Sequence, residues 1–152
     1  MTHLGDAGVR QLIVDRIGRL RSDSPRLWGK MSAHQMLCHL TDSYKAGLGE
    51  KFVTMKTGFL QRTLVKWIAL YTPLPWPKGV PTLHEMKQGA GGTPPADFEQ
   101  DRGALVEIVN RFASGPGVSG WHPHPLFGRM SDTEWFRWGY LHTDHHLRQF
   151  GA

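Results

Sequence analysis

The chain has 152 residues, 39% of them hydrophobic and 20% charged, with a formal charge of +5 and a pI near 9.7. That length suits one domain (1–152) able to bury its own core, and the composition excludes wholesale disorder. The single cysteine, Cys38, excludes an internal disulfide and a cysteine-rich zinc site, and the scattered Lys and Arg speak against a nucleic-acid partner.

The first predicted helix runs from about Asp6, its N-cap, to Arg21, with Val9, Leu12, Ile13, Ile17 and Leu20 at helical spacing. Its interspersed charges are not those of a signal peptide, so a cytoplasmic protein is expected. A second helix starts at the capping box "SAHQ" (32–35) and continues to Gly47 or Gly49. Residues 50–96 form a long crossover. Within it "FLQRTLVKWIALY" reads as a short amphipathic helix, and "TPLPWPKGVPTLHEMKQGAGGTPP" as an extended, proline-stiffened loop. "WIALYTPLPWP" (67–77) is too short to span a bilayer, and no membrane partner is expected. A third helix follows "GGTPPAD" and carries Phe98, Leu105, Ile108, Val109 and Phe112 on one stripe up to Ala113. The fourth opens at a second capping box, "SDTE" (131–134), and ends in a histidine cluster. Four helices with one long crossover between the second and third predict an all-α four-helix bundle.

On the last helix Trp135, Trp138, His142, His145, His146 and Gln149 share one stripe, with Asp144 on the other side. His142 and His146, four residues apart, have the spacing by which one helix offers two imidazoles to one metal. Histidines at a helix C-terminus also interact well with the helix dipole and need no metal. His145 competes with His146, because a spacing of three from His142 also shares a face. On the second helix His39 lies on a face with Gln35, Asp42 and Ser43, which reads either as a solvated stripe or as a ligand with partners that fix its tautomer. His34 falls on another face and is expected in solvent.

These motifs carry a resemblance. "WGKMSAHQMLCHLTDS" (28–43), "LPWPKGVPT" (74–82) and "HPLFGRMSDTEWFRWGYLHTDHHLRQFG" (124–151) resemble the DinB/YfiT-like superfamily of metal-binding bundles, in a branch ending in an HxDHHxRQFG element. The resemblance implies an up-down-down-up bundle whose divalent metal, zinc or nickel, is held by His39, His142 and His146. It also implies a homodimer and, from characterised relatives, chemistry with low-molecular-weight thiols. The long proline-rich crossover departs from those relatives, so substrate and reaction do not transfer with the site.

The expected protein is therefore a metal-dependent enzyme acting on a small molecule, with thiol S-transfer foremost. A metal-dependent hydrolase and a non-catalytic metal-binding or ligand-binding bundle are the alternatives. Three neutral histidines leave a divalent ion open to water, thiolate or substrate, whereas a closed structural zinc site takes four ligands. Around the ligands, Gln35 and Asp42 are placed to orient His39, and Gln149 to order a metal-bound water. His124 is placed at the mouth, His122 in solvent and Arg148 on the surface. Cys38 reads as a core thiol. Trp67, Trp76, Trp121, Trp135 and Trp138 read as mostly core, with part of the 59–77 segment walling a pocket.

Overall fold

The computed structural model describes residues 1–152, and its regular structure is helical apart from one isolated bridge between His124 and Gly128. The α-helices are α1 (Ala7–Gly18), α2 (Ala33–Gly47), α3 (Lys66–Tyr71), α4 (Phe98–Ala113) and α5 (Asp132–Gln149). The chain is all-α, as its patterning requires. No helix is long and apolar enough to cross a membrane.

Side chains start the four long helices. Asp6 accepts the Val9 amide and Asp97 the Gln100 amide. Ser32 with Gln35, and Ser131 with Glu134, form reciprocal capping boxes. Each cap satisfies an amide that the helix leaves unpaired, worth about 1 kcal/mol. α1 stops at Gly18 rather than Arg21, because the Arg21 amide turns to Ser24 Oγ at 2.9 Å instead of continuing the ladder. Its inward stripe is Ile13, Ile17 and the trailing Leu20, while Leu12 is 64% exposed and does not belong to it.

α1, α2, α4 and α5 contribute to one core. Met36, Leu37, Leu40 and Tyr44 of α2 meet Leu105, Ile108, Val109 and Phe112 of α4 and Trp135, Trp138 and Leu147 of α5. Burial of side chains this size contributes roughly 1.5–3 kcal/mol each. α5 approaches α2 at Gly139, where an added Cβ would lie 3.2 Å from Tyr44 Cε1. There the buried Tyr44 hydroxyl donates to the Gly139 carbonyl and shares a 2.6 Å hydrogen bond with Thr143 Oγ1. This contact sets the register of the two helices that carry the histidines.

The crossover contains more regular structure than its prolines suggest. Residues 59–71 are helical, with a π-helical turn at Gln61–Val65 running into α3. The segment is amphipathic, but its polar side faces inward. Lys66 pairs with Glu134 at 2.8 Å, the Tyr71 hydroxyl donates to the same carboxylate, and Arg137 donates to the Leu70 carbonyl. Only Leu70 is buried, whereas Phe59, Leu64 and Trp67 are 78%, 52% and 57% exposed. Trp67 is thus a surface residue, neither in the core nor on a pocket wall as the sequence suggests. Further on, a 3-10 turn at His84–Met86 closes on itself at Gly91 and Gly92, whose added Cβ atoms would fall within 3 Å of the Glu85 and Lys87 backbone. That turn docks on α2 and reaches the site.

Candidate metal centre

His39 projects from the middle of α2, and His142 and His146 from successive turns of α5. Their ligating nitrogens all lie within 4.8 Å of one another. His39 Nε2 and His142 Nε2 face each other at 3.4 Å. The His146 ring centroid is 4.9 Å from each of the other two. His39 is buried while His142 and His146 keep partial exposure, so the cluster opens on the α5 side.

Hydrogen bonds at the far side of two rings decide which nitrogen is free. His39 Nδ1 meets the Met86 carbonyl at 3.3 Å, and a carbonyl only accepts, so Nδ1 carries the proton and Nε2 the lone pair. His146 Nδ1 meets Gln149 Oε1 at 3.0 Å. The amide orientation follows from its other end, where Gln149 Nε2 donates to the Trp28 carbonyl at 2.8 Å. His146 therefore also presents Nε2. Gly29 makes this relay possible: it sits at φ +80°, and any Cβ there would lie 2.4 Å from Gln149 Nε2.

The cluster is built to stay neutral. Burial pushes His146 down to about 3 and His142 well below the usual histidine range, with neighbouring imidazoles adding to both. Burial lowers His39 as well, partly opposed by its hydrogen bond to Met86. Neutral imidazole is the form that binds a metal.

The donor set fits a divalent transition metal. Two nitrogens on a tetrahedral zinc with ~2.0–2.1 Å bonds stand about 3.3–3.4 Å apart. The His39–His142 separation matches that spacing; without a cation the same 3.4 Å suits a hydrogen bond in which His142 Nε2 donates to His39 Nε2. Three nitrogen donors suit zinc or nickel and not the hard, oxygen-seeking calcium or magnesium.

Several neighbours stand elsewhere than the sequence suggests. Asp42 does not orient His39. Its carboxylate accepts the Thr93 amide and hydroxyl at 2.8 and 2.7 Å and pairs with Lys51 at 3.3 Å. It thereby ties down the segment that follows the Met86 turn. Gln35 spends its side chain on the Ser32 amide. Gln149 uses both ends of its amide on protein partners, so it orients His146 rather than a water. His145 lies outside the cluster, its ring 5.9 Å from Trp28 and 6.3 Å from Trp76. Arg148 is exposed, as expected, and pairs back to Asp144.

His124 is not at the mouth. It is buried in the turn before α5, where Nδ1 accepts the Leu126 and Phe127 amides and the ring stacks on Phe127. Burial pushes it down to about 3. His122 is exposed as expected. His34 is not free in solvent, because its Nε2 meets Asp101 Oδ2 at 2.7 Å. Cys38 is buried, its thiol pushed up to about 12 by burial and by the Asp101 carboxylate.

Two backbone carbonyls escaped sequence reasoning. The Met86 and Trp28 carbonyls hold the histidine tautomers, and a backbone carbonyl has no residue-type signature. Trp76, from the proline-rich segment, lies 5.9 Å from His142, with Trp138 at 4.9 Å from the same ring. Its indole is fixed by donation to the Ala69 carbonyl at 2.9 Å.

The chain matches a family described as "Protein of unknown function (DUF1569)" over residues 10–152, and it belongs to that family. No curated protein and no solved structure matches it.

Proposed function

We propose that this DUF1569 member is a metal-dependent enzyme of the DinB/YfiT type, with a divalent zinc or nickel ion at His39, His142 and His146 and a small thiol as co-substrate. The observation that carries the reading is the convergence of three imidazoles on one point, two of them with the far nitrogen engaged. The four long helices and the crossover between α2 and α4 agree with an up-down-down-up bundle. Held by three neutral donors, the ion would keep open positions and an uncancelled charge that favours an anion such as thiolate.

The chain's own residues do the rest. Met86 and Gln149 keep the Nδ1 protons in place and fix both rings. Trp76 and Trp138 flank His142 and exclude water from that side. The carboxylates within three residues of the histidines along α2 and α5 are both engaged: Asp42 by Thr93 and Lys51, and Asp144 by Arg16 at 2.7 Å and by Arg148. Neither is available as the general base that zincin-type hydrolysis draws from a carboxylate beside its histidines. This favours thiol transfer over hydrolysis of the zincin type, since a metal lowers a thiol's pKa without a protein base.

The test uses the Cys38→Ser protein, purified without a histidine tag, which has no thiol of its own. Elemental analysis should find one divalent ion per chain, lost when His39, His142 or His146 is replaced by Ala. Full occupancy in a folded His142→Ala protein would overturn the centre. Cobalt loading followed by low-molecular-weight thiols should then bring up sulfur-to-metal charge-transfer bands. A spectrum unmoved by millimolar thiol would overturn S-transfer while leaving the metal centre standing.

A further inference from the structure

On another face of α2 from the three-histidine centre, a second group of metal-ligating side chains comes together. His34 and Cys38 are one helical turn apart on α2, and Asp101 faces them from the first turns of α4. His34 Nε2 lies 2.7 Å and Cys38 Sγ 3.7 Å from the same oxygen, Asp101 Oδ2. All three donor atoms lie within 4.8 Å of one another. We propose that His34, Cys38 and Asp101 form a second divalent-metal site, suited to a borderline-soft cation such as Zn2+, that clamps α2 to α4.

Three features support it. First, the spacing is that of a helical chelate, because residues four apart on a helix project side by side. Second, the donors differ in kind from those of the histidine centre. A thiolate and a carboxylate together cancel a divalent charge, and imidazole completes a nitrogen, sulfur and oxygen set that zinc accepts. Ligation sends the Cys38 proton to solvent. Third, a cavity of about 80 Å³ adjoins the cluster, lined by Cys38, Asp101, Thr41 and Lys45 among others. It has room for water, at about 30 Å³ each, to complete the coordination. The Ala96 amide donates to Asp101 Oδ2 at 3.0 Å and holds the carboxylate toward the site before any ion arrives.

The sequence has one cysteine, so any thiolate-to-metal signal can come only from this cluster, whatever occupies the histidine centre. The experiment is a cadmium titration of the whole protein, followed by the ultraviolet sulfur-to-cadmium band. The band should saturate at the intensity of one cadmium-bound thiolate per chain, and Zn2+ should displace it. His34→Gln and Asp101→Asn both keep the thiol, and each should raise the half-saturating cadmium concentration tenfold or more. His142→Ala should leave the band unchanged. Absence of a band at millimolar cadmium, or failure of zinc to compete, would overturn the site. Equal midpoints in the parent and the His34→Gln protein would reduce it to a single reactive thiol and overturn it equally. Helical circular dichroism identifies a variant that fails to fold. His34→Gln, at a partly exposed position, decides the matter if Asp101→Asn does not fold.

Discussion

The contact between α2 and α5 and the helical part of the crossover handle polarity in opposite ways. Along α2 and α5, His39, Asp42, Ser43, Thr143, Asp144 and Gln149 are buried polar residues, and every one has a hydrogen-bond partner. Along 59–71 the arrangement is inverted: Lys66 turns inward to Glu134, while Phe59, Leu60, Leu64 and Trp67 stand in solvent. A buried polar group left without its partner costs about 1–3 kcal/mol, whereas an exposed apolar one has no burial to lose. Substitutions should therefore be severe in the first region and nearly silent in the second.

The largest effect is expected at Gln149. Its Oε1 orients His146 and its Nε2 is anchored on Trp28, so it links the start of the α2 region to the α5 ligand. Gln149→Ala should weaken metal binding by about 10–100-fold, the range seen when partners of ligating histidines are removed. Gly29→Ala should act in the same direction without touching a ligand, because its Cβ would occupy the space of the Gln149 amide. Competition with a chromophoric chelator measures both. Unchanged affinity in both would show that the Trp28–Gln149–His146 relay does not tune the centre.

This pair also marks the limit of what was legible in the sequence. The candidate ligands were readable in part: helical spacing places His142 on one face with both His145 and His146, the resemblance singled out His39, His142 and His146, and the capping boxes fix where α2 and α5 begin. The partners were not, because two of them are backbone carbonyls, of Trp28 and Met86, supplied by irregular segments whose path no periodicity encodes. Asp42 shows the same limit from the other side. It shares a helical face with His39 as expected, yet its carboxylate is captured by Thr93, a residue that only the folded crossover brings within reach. The crossover itself failed to follow its pattern for a related reason. Amphipathicity tells that a helix has two faces, and the Glu134 carboxylate decided which one turned inward.

Acid should produce the next largest effect, through His124. Its Nδ1 accepts two amides, so protonation there would break both. Burial holds its folded value at about 3 against an ordinary histidine value of 6.5. The sign follows: between these limits the unfolded chain takes up a proton that the folded one refuses. His124 costs no stability above about pH 6.5, and as the pH falls below that value stability drops by about 1.4 kcal/mol per pH unit. Urea midpoints measured from pH 7 to pH 4 should fall, and His124→Asn should flatten the slope relative to the parent. A parent midpoint independent of pH over that range would contradict a neutral His124 in the turn.

The smallest effect is expected on the outer face of the crossover. Phe59 and Trp67 are 78% and 57% exposed, so replacing either with Ser removes little apolar area that folding had taken from water. Phe59→Ser and Trp67→Ser should each leave unfolding stability within about 0.5 kcal/mol of the parent, the usual range for surface positions. Metal content should not change, because the side of this segment that meets α5 is the Lys66–Glu134 pair, which both substitutions spare. The measurement is a urea melt at two protein concentrations tenfold apart. In a chain whose crossover faces only solvent, the midpoints coincide. A midpoint that rises with concentration in the parent and loses that dependence in Trp67→Ser would place a second copy over this face, because only an associating state ties stability to concentration. That outcome would turn the contrast between the two regions into a contrast between a core buried by folding and one buried by assembly.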